Sequence, residues 1–288
     1  MKKIIYCGKI TIVGKPNVGK STLINTLVKS KISIVSKKPH TTQSNIIGIQ
    51  NTSIFQAIYT DTPGISYKNL YFKNKKKYHY IKKLCKNSEL TLLILDKANW
   101  TSEDDLVLNI IKYNVTPVIA IINKNDKISN KKILLPHIDF LKDKHPFKHI
   151  LPISGKTGEN INLLSCIVQK FLPKSEPKFL CDQITNYDLN FKIKEIIREK
   201  FIFYLRDELS YSIKIIVKNI NINKIGMYII KANVFVKNNQ HKKIVIGNNG
   251  KIIKLCGTMA RKEIEKYLKS SVYLSIFVTK NKKIYSEI

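Results

Sequence analysis

Four short apolar runs, Ile10–Val13, Ile54–Thr60, Leu90–Asp96 and Thr116–Asn123, punctuate the first 172 residues. Each has the length of a strand and gives way to a polar or glycine-bearing turn, then to a helical pattern. Alternation of this kind predicts an α/β fold, a mostly parallel sheet with helices on both faces. Ligand groups in such sheets gather outside the carboxyl ends of the strands. The apolar start after Lys2-Lys3 breaks at Gly8-Lys9, and no small-residue cleavage site follows. It reads as the lead into the first strand rather than a secretion signal.

The pattern changes beyond Leu172. Residues 173–190 hold Pro173 and Pro177 with little periodicity, which marks a linker. It divides an expected domain at 1–172 from a smaller α+β domain at 191–288. The second domain opens with a helix near Phe191–Leu205, where Ile193, Ile196, Ile197 and Phe201 recur at helical spacing. Strands are expected near Ile213–Val217 and Met227–Val236. A short helix at Lys242–Ile246, a longer one ending near Leu268 and a strand near Val272–Thr279 follow.

Composition narrows the class without identifying it. At 288 residues and 43% hydrophobic content, the chain can bury two cores. No apolar run approaches the ~20 residues of a membrane helix. Cys7, Cys85, Cys166, Cys181 and Cys256 are scattered and never spaced Cys-x-x-Cys, so neither a disulfide framework nor a zinc site is expected. Both points suit a reducing cytoplasm. The net charge of +31 comes from 48 lysines and only three arginines. It is also spread out, with 29 basic and 10 acidic residues in 1–175 against 22 and 10 in the remainder. Such a spread draws polyanions in general but defines no binding face.

Three motifs carry chemistry. Gly14-Lys15-Pro16-Asn17-Val18-Gly19-Lys20-Ser21 follows a strand and precedes a helix that continues with Thr22. Its glycines let the backbone curl so that N–H groups point at phosphate oxygens, and the helix adds its positive end. Lys20 is expected on the β- and γ-phosphates and the Ser21 hydroxyl on Mg²⁺. Asp61-Thr62-Pro63-Gly64 ends the next long strand, where Asp61 would hold the Mg²⁺ shell and the Gly64 N–H would meet the γ-phosphate. Asn123-Lys124-Asn125-Asp126 comes last. The Asp126 carboxylate would accept from guanine N1–H and its 2-amino group, a donor pair that adenine lacks. Lys124 would lie along the base and Asn123 would brace the loops. Backbone N–H groups of Ser154-Gly155-Lys156 would reach guanine O6.

Thr41 and Thr42 lie in the polar stretch between these motifs, and Thr42 is favoured as a Mg²⁺ ligand that closes only with the γ-phosphate present. The residue after Gly64 is Ile65, not glutamine, so a side chain that orients water is missing from its usual place. Intrinsic turnover should be slow, on the order of 10⁻⁴–10⁻² s⁻¹. The catalytic set is therefore Lys20, Thr42 and Gly64. Asn17 is a candidate to help bind K⁺. In the second domain, Gly247-Asn248-Asn249-Gly250 sits between two helices, where paired glycines admit a nucleic-acid backbone. Ile246, Lys251 and Lys254 complete that candidate site.

Taken together, these residues resemble the Era family of bacterial ribosome-assembly GTPases over about residues 8–280. The resemblance rests on 14–21, Thr41-Thr42, 61–64, Asn99–Asp104, 123–126 and 152–154. Beyond the linker it continues in Glu195–Lys200, Glu208–Ser212 and Val245–Gly247. It implies a KH domain of α-β-β-α-α-β order that binds near the 3′ end of 16S rRNA, and a GTP-gated role in assembly of the 30S subunit. The family usually has Ser-Ala-Lys where Ser154-Gly155-Lys156 stands, and often a lysine inside the Gly-x-x-Gly loop. It also usually has a longer tail after the last strand.

Two other readings fit the residues. One is an RNA-binding assembly factor whose nucleotide site barely hydrolyses. The other is a related GTPase whose C-terminal domain binds protein or membrane, for which the lysine surplus is the hint. A cytoplasmic monomer without a DNA partner is expected, with peripheral association at the inner face of the cell membrane as a further expectation.

Overall fold

The computed structural model describes residues 6–34, 46–67, 75–205, 209 and 212–280. It divides into two compact units, Met1–Asn186 and Tyr187–Ile288.

The first unit is built on β1 (Tyr6–Val13), β2 (Ile46–Asn51), β3 (Phe55–Asp61), β4 (Leu90–Asp96), β5 (Val118–Asn123) and β6 (His149–Pro152). They lie in the order β2-β3-β1-β4-β5-β6. The β2–β3 pair is antiparallel and the other pairs are parallel. All of β5 and nearly all of β4 are buried, which is why their sequences read as unbroken apolar runs. Helices α2 (Lys75–Lys86), α3 (Ser102–Ile111) and α4 (Leu134–Lys144) share one apolar core with Val13, Leu93, Leu95 and Ile122. Helices α1 (Lys20–Leu27) and α5 (Ile161–Phe171) pack on each other and on β3. The parallel strands deliver the ends of β1, β3, β5 and β6 to one edge, and the nucleotide motifs follow those ends.

Strand β2 escaped the sequence reading. It is short, ends in Gln50-Asn51 and pairs antiparallel at the sheet's edge, so it lacks the long apolar run of its neighbours. Much of the stretch expected as a linker lies along that edge. Ile49 N–H donates to Ile184 O at 2.9 Å, and Thr185 Oγ1 to Ile47 O at 2.8 Å. Gln56 Oε1 accepts from the N–H groups of Lys178 and Phe179 at 2.8 and 3.0 Å. Ile184 and Thr185 thus satisfy backbone groups of β2 that an edge strand would otherwise leave open to other chains.

The second unit runs α6 (Leu189–Tyr204), β7 (Lys214–Ile222), β8 (Tyr228–Val236), α7 (Asn239–Ile246), α8 (Lys251–Leu268) and β9 (Val272–Lys280). Its three strands are ordered β7-β8-β9, antiparallel then parallel. Ile197, Phe201, Ile230, Val234, Val245 and Ile264 belong to one apolar core. On α6, Glu195 and Arg198 form a buried pair at 2.7 Å, tied again through Arg198 Nε at 2.9 Å.

Candidate functional site

Residues 14–19 form the turn between β1 and α1. Gly19 has φ +98°, a conformation that side chains resist, and a Cβ there would sit 2.3 Å from Asn123 Nδ2. Asn17 is exposed and also left-handed at φ 62°. Val18 is buried, and its carbonyl accepts from Asn123 Nδ2 at 2.8 Å. Lys20 Nζ folds back to the carbonyls of Gly14 and Lys15 at 3.0 and 2.8 Å. Burial pulls the Lys20 pKa down to about 8, partly offset by the Asp61 charge. Pro16 touches Gly64, where a Cβ would come within 2.8 Å of Pro16 Cα and N. The Ile65 N–H donates to Gly14 O at 3.2 Å, so the segment after β3 is seated on the glycine turn.

Ser21 Oγ donates to Asp61 Oδ2 at 2.7 Å. A hydroxyl and a carboxylate at the mouth of a phosphate cradle are hard oxygen donors, the set Mg²⁺ takes when phosphates and water supply the rest. Among the described residues no group of three or more His, Cys, Asp or Glu side chains is placed to hold a metal by itself. The donors present therefore fit Mg²⁺ that arrives with a nucleotide. Thr22 follows in α1, its carbonyl accepting from Thr26 Oγ1 at 2.9 Å. Thr62 turns its hydroxyl away, to Ile12 O at 2.7 Å, and Pro63 is buried. Thr41 and Thr42 lie outside the described residues.

At the far end of the site, Asn123 joins two loops. Its Nδ2 holds Val18, and its Oδ1 accepts the Gly155 N–H at 2.9 Å. Lys124 is left-handed at φ 62° and its Nζ lies 3.0 Å from Asp96. Asp126 is exposed and accepts from Ser154 Oγ at 2.6 Å. That bond is the main cause holding the Asp126 pKa below its ordinary value, so the carboxylate is ionised at neutral pH.

Backbone N–H groups of residues 154–156 are expected to reach guanine O6, but two of them are engaged within the protein. The Ser154 N–H goes to Glu159 O at 3.2 Å and the Gly155 N–H to Asn123. The buried amide of Asn123 must be satisfied, and it takes the glycine's donor. No partner for the Lys156 N–H appears among the described residues.

Two contributions were not read from the sequence. Lys15 contributes more than backbone. Its Nζ pairs with Asp104 Oδ2 at 2.7 Å and contacts Thr101 Oγ1 at 2.9 Å. Asp104 also accepts the Thr101 N–H at 2.9 Å, capping α3. Thr101-x-x-Asp104 before an apolar run was the available signal. Ser33, outside every motif, donates to Asp61 Oδ2 at 2.8 Å.

In the second unit, Gly247 (φ +76°) closes α7, Asn249 is left-handed at φ 51°, and Gly250 (φ +74°) opens α8. A Cβ on Gly247 would meet Ile252 Cγ1 at 2.7 Å. Asn248, Asn249, Lys251 and Lys254 are exposed, and Ile246 is half-buried beside them. Two lysines in the first turn of a helix oppose its dipole, a cost of a few tenths of a kcal/mol that an anionic ligand would reverse.

Comparison with known proteins agrees with this geometry. Residues 9–124 match a family described as 50S ribosome-binding GTPase, and residues 208–283 match the KH domain family. GTPase Era of Buchnera aphidicola subsp. Baizongia pistaciae is 53% identical, over 98% of this chain and 99% of its own. GTPase Era of Yersinia pestis is 39% identical, over 95% and 90%. Crystal structures of a point variant of Aquifex aeolicus Era bound to GDP·AlF4⁻, and of Era with MgGDPNP and nucleotides 1506–1542 of 16S rRNA, each superpose at TM-score 0.89. Each is 36% identical and covers 96% of this chain and 94% of its own. With its nucleotide motifs at the strand ends and a KH domain later in the sequence, the chain belongs to the GTPase Era family.

Proposed function

We propose that this chain is a GTP-hydrolysing switch that binds 16S rRNA near its 3′ end and assists assembly of the small ribosomal subunit. The observation that carries the reading is the linkage of Val18, Asn123, Gly155, Ser154 and Asp126 through short hydrogen bonds. It couples a phosphate cradle to an ionised carboxylate suited to guanine. Gly14–Thr22 would wrap the phosphates, and Ser21 and Asp61 would hold Mg²⁺. Lys124 and Asp126 would take the base, and the Lys156 N–H would meet O6.

Mg²⁺, when bound, offsets charge on the phosphate oxygens. The chain's own part begins with Lys20. On binding, its ammonium exchanges two backbone carbonyls for phosphate oxygens, which restores full protonation in a buried site. Gly64 has no side chain to push Pro16 aside, so the segment after Asp61 can close on the γ-phosphate. Thr42 is the proposed residue that closes from the other side. Ile65 is buried in the core and offers water no polar group, so turnover stays slow unless K⁺ near Asn17 or the ribosome assists.

In the second module, residues 191–288, Gly247 and Gly250 would admit the RNA backbone while Lys251 and Lys254 neutralise phosphates. Residues 1–172 form the nucleotide module. A monomer is proposed, and the surplus lysines allow peripheral contact with an anionic membrane surface. No helix among the described residues is long and apolar enough to cross a membrane. Filter binding of RNA matching the 3′ end of 16S rRNA, with a GTP analogue and with GDP, tests the switch. Tighter binding with the analogue is expected, and equal affinity in both states contradicts gating.

A further inference from the structure

Ser33 and Asn25 together reach the Mg²⁺ carboxylate from a direction that no nucleotide motif covers. Ser33 is 1% exposed and donates to the same Asp61 oxygen that accepts from Ser21. Its backbone is fixed as firmly as its side chain. Asn25 Oδ1 accepts the N–H groups of Ile32 and Ser33, each at 2.9 Å, and Asn25 Nδ2 donates to Ser33 O at 2.9 Å. Asn25 lies four residues after Ser21 on α1, hence on the same helix face. One helix therefore approaches Asp61 twice, directly through Ser21 and indirectly through Asn25 and Ser33.

We propose that Ser33 is a positioning residue for Mg²⁺ binding. It orients Asp61 toward Ser21 and anchors there the chain that enters residues 35–45. The proposal rests on the magnesium–nucleotide reading above. Asparagine inside a helix is a poor helix former, and here its amide instead fastens the loop through three hydrogen bonds. A hydroxyl suits the task better than a cation would. It fixes the carboxylate's direction through a hydrogen bond, yet adds no charge that would compete with the metal. Simple satisfaction of a buried serine needs only a nearby carbonyl, whereas Ser33 uses the carboxylate that ends β3.

The test is GDP affinity, read with a fluorescent GDP analogue, titrated against free Mg²⁺ and repeated in EDTA. It compares the full-length chain with Ser33→Ala and with Ser33→Cys, which keeps the shape but donates weakly. Both variants should need roughly fivefold more Mg²⁺ for half-maximal tightening. Their affinity in EDTA should stay within about twofold of the parent, because phosphate and base contacts are untouched. If either folded variant keeps the parent's Mg²⁺ midpoint, or loses affinity equally in EDTA, the positioning role is wrong. A parent chain whose GDP affinity ignores Mg²⁺ would instead overturn the underlying metal reading.

Discussion

Lys15 Nζ stands 2.7 Å from Asp104 Oδ2, and the Asp104 side chain has no solvent exposure. The pair pins the phosphate loop to the start of α3. Removing one partner strands the other charge in a dry site, which typically costs about 3–5 kcal/mol. Asp104→Ala should therefore lower unfolding stability by about 3 kcal/mol in urea titrations. The double change Lys15→Met with Asp104→Leu should recover most of that loss, since an apolar pair strands no charge. A single variant with unchanged stability would show that the pair is solvated.

Lys20 links nucleotide affinity to pH. In the free site its pKa is about 8, held down by burial, and the phosphates should raise it again. Binding then takes up a proton above pH 8, so affinity should fall as pH rises. Between about pH 7 and 8.5 the fall should be roughly fourfold. Stability of the nucleotide-free chain should move the other way. The unfolded lysine holds its proton to higher pH than the folded one, so unfolding free energy rises from about pH 8 toward the lysine's ordinary value. Calorimetric titration of GDP across this range checks the first effect, and Lys20→Met should flatten it.

Gly155 occupies the place where the family usually has alanine. A Cβ there would find Asn123 Oδ1 and Leu23 at 3.4 Å, and its φ lies outside the left-handed region. Gly155→Ala should thus be accepted, keep GTP affinity and raise stability by about 0.4–1 kcal/mol through the unfolded chain. A loss of stability in thermal unfolding would mean that the loop is tighter than its contacts indicate.

In the proposed RNA loop, Asn248 and Asn249 are both exposed, but only Asn249 holds a left-handed backbone. Asparagine tolerates that conformation better than lysine does. Asn248→Lys should strengthen binding to the 16S 3′-end RNA several-fold and steepen the salt dependence by about one unit. Asn249→Lys should gain less, because it adds the same charge at a strained position. Equal effects of the two substitutions in filter-binding assays would contradict that backbone argument.

The sequence made much of this molecule legible, for physical reasons visible in particular residues. Leu90–Asp96 stands out because it is covered on both sides of the sheet. Gly14–Ser21 is readable because its glycines and lysine are needed at fixed spacing. Strand β2 and the edge contacts of residues 178–185 were not visible, since an edge strand and a chain segment bonded through backbone atoms impose little on side-chain identity. Lys15–Asp104 and Ser33–Asp61 join residues far apart in the chain, and no local pattern announces such pairs. The use of the Gly155 N–H by Asn123 likewise depends on how two loops meet. Thr41 and Thr42 fall outside the described residues.

Asp126, oriented by Ser154 and ionised at neutral pH, bears the central claim of guanine selection. Its most direct test is competition of GTP, ATP and XTP for the purified chain and for Asp126→Asn. The carboxylate pairs with two guanine donors, whereas the amide offers a donor to the 2-oxo group of xanthine. The parent should prefer GTP over ATP by at least about 10⁴, and Asp126→Asn should lose GTP and gain XTP. Equal uptake of ATP and GTP by the parent, or an Asp126→Asn chain that still prefers GTP, would contradict the account.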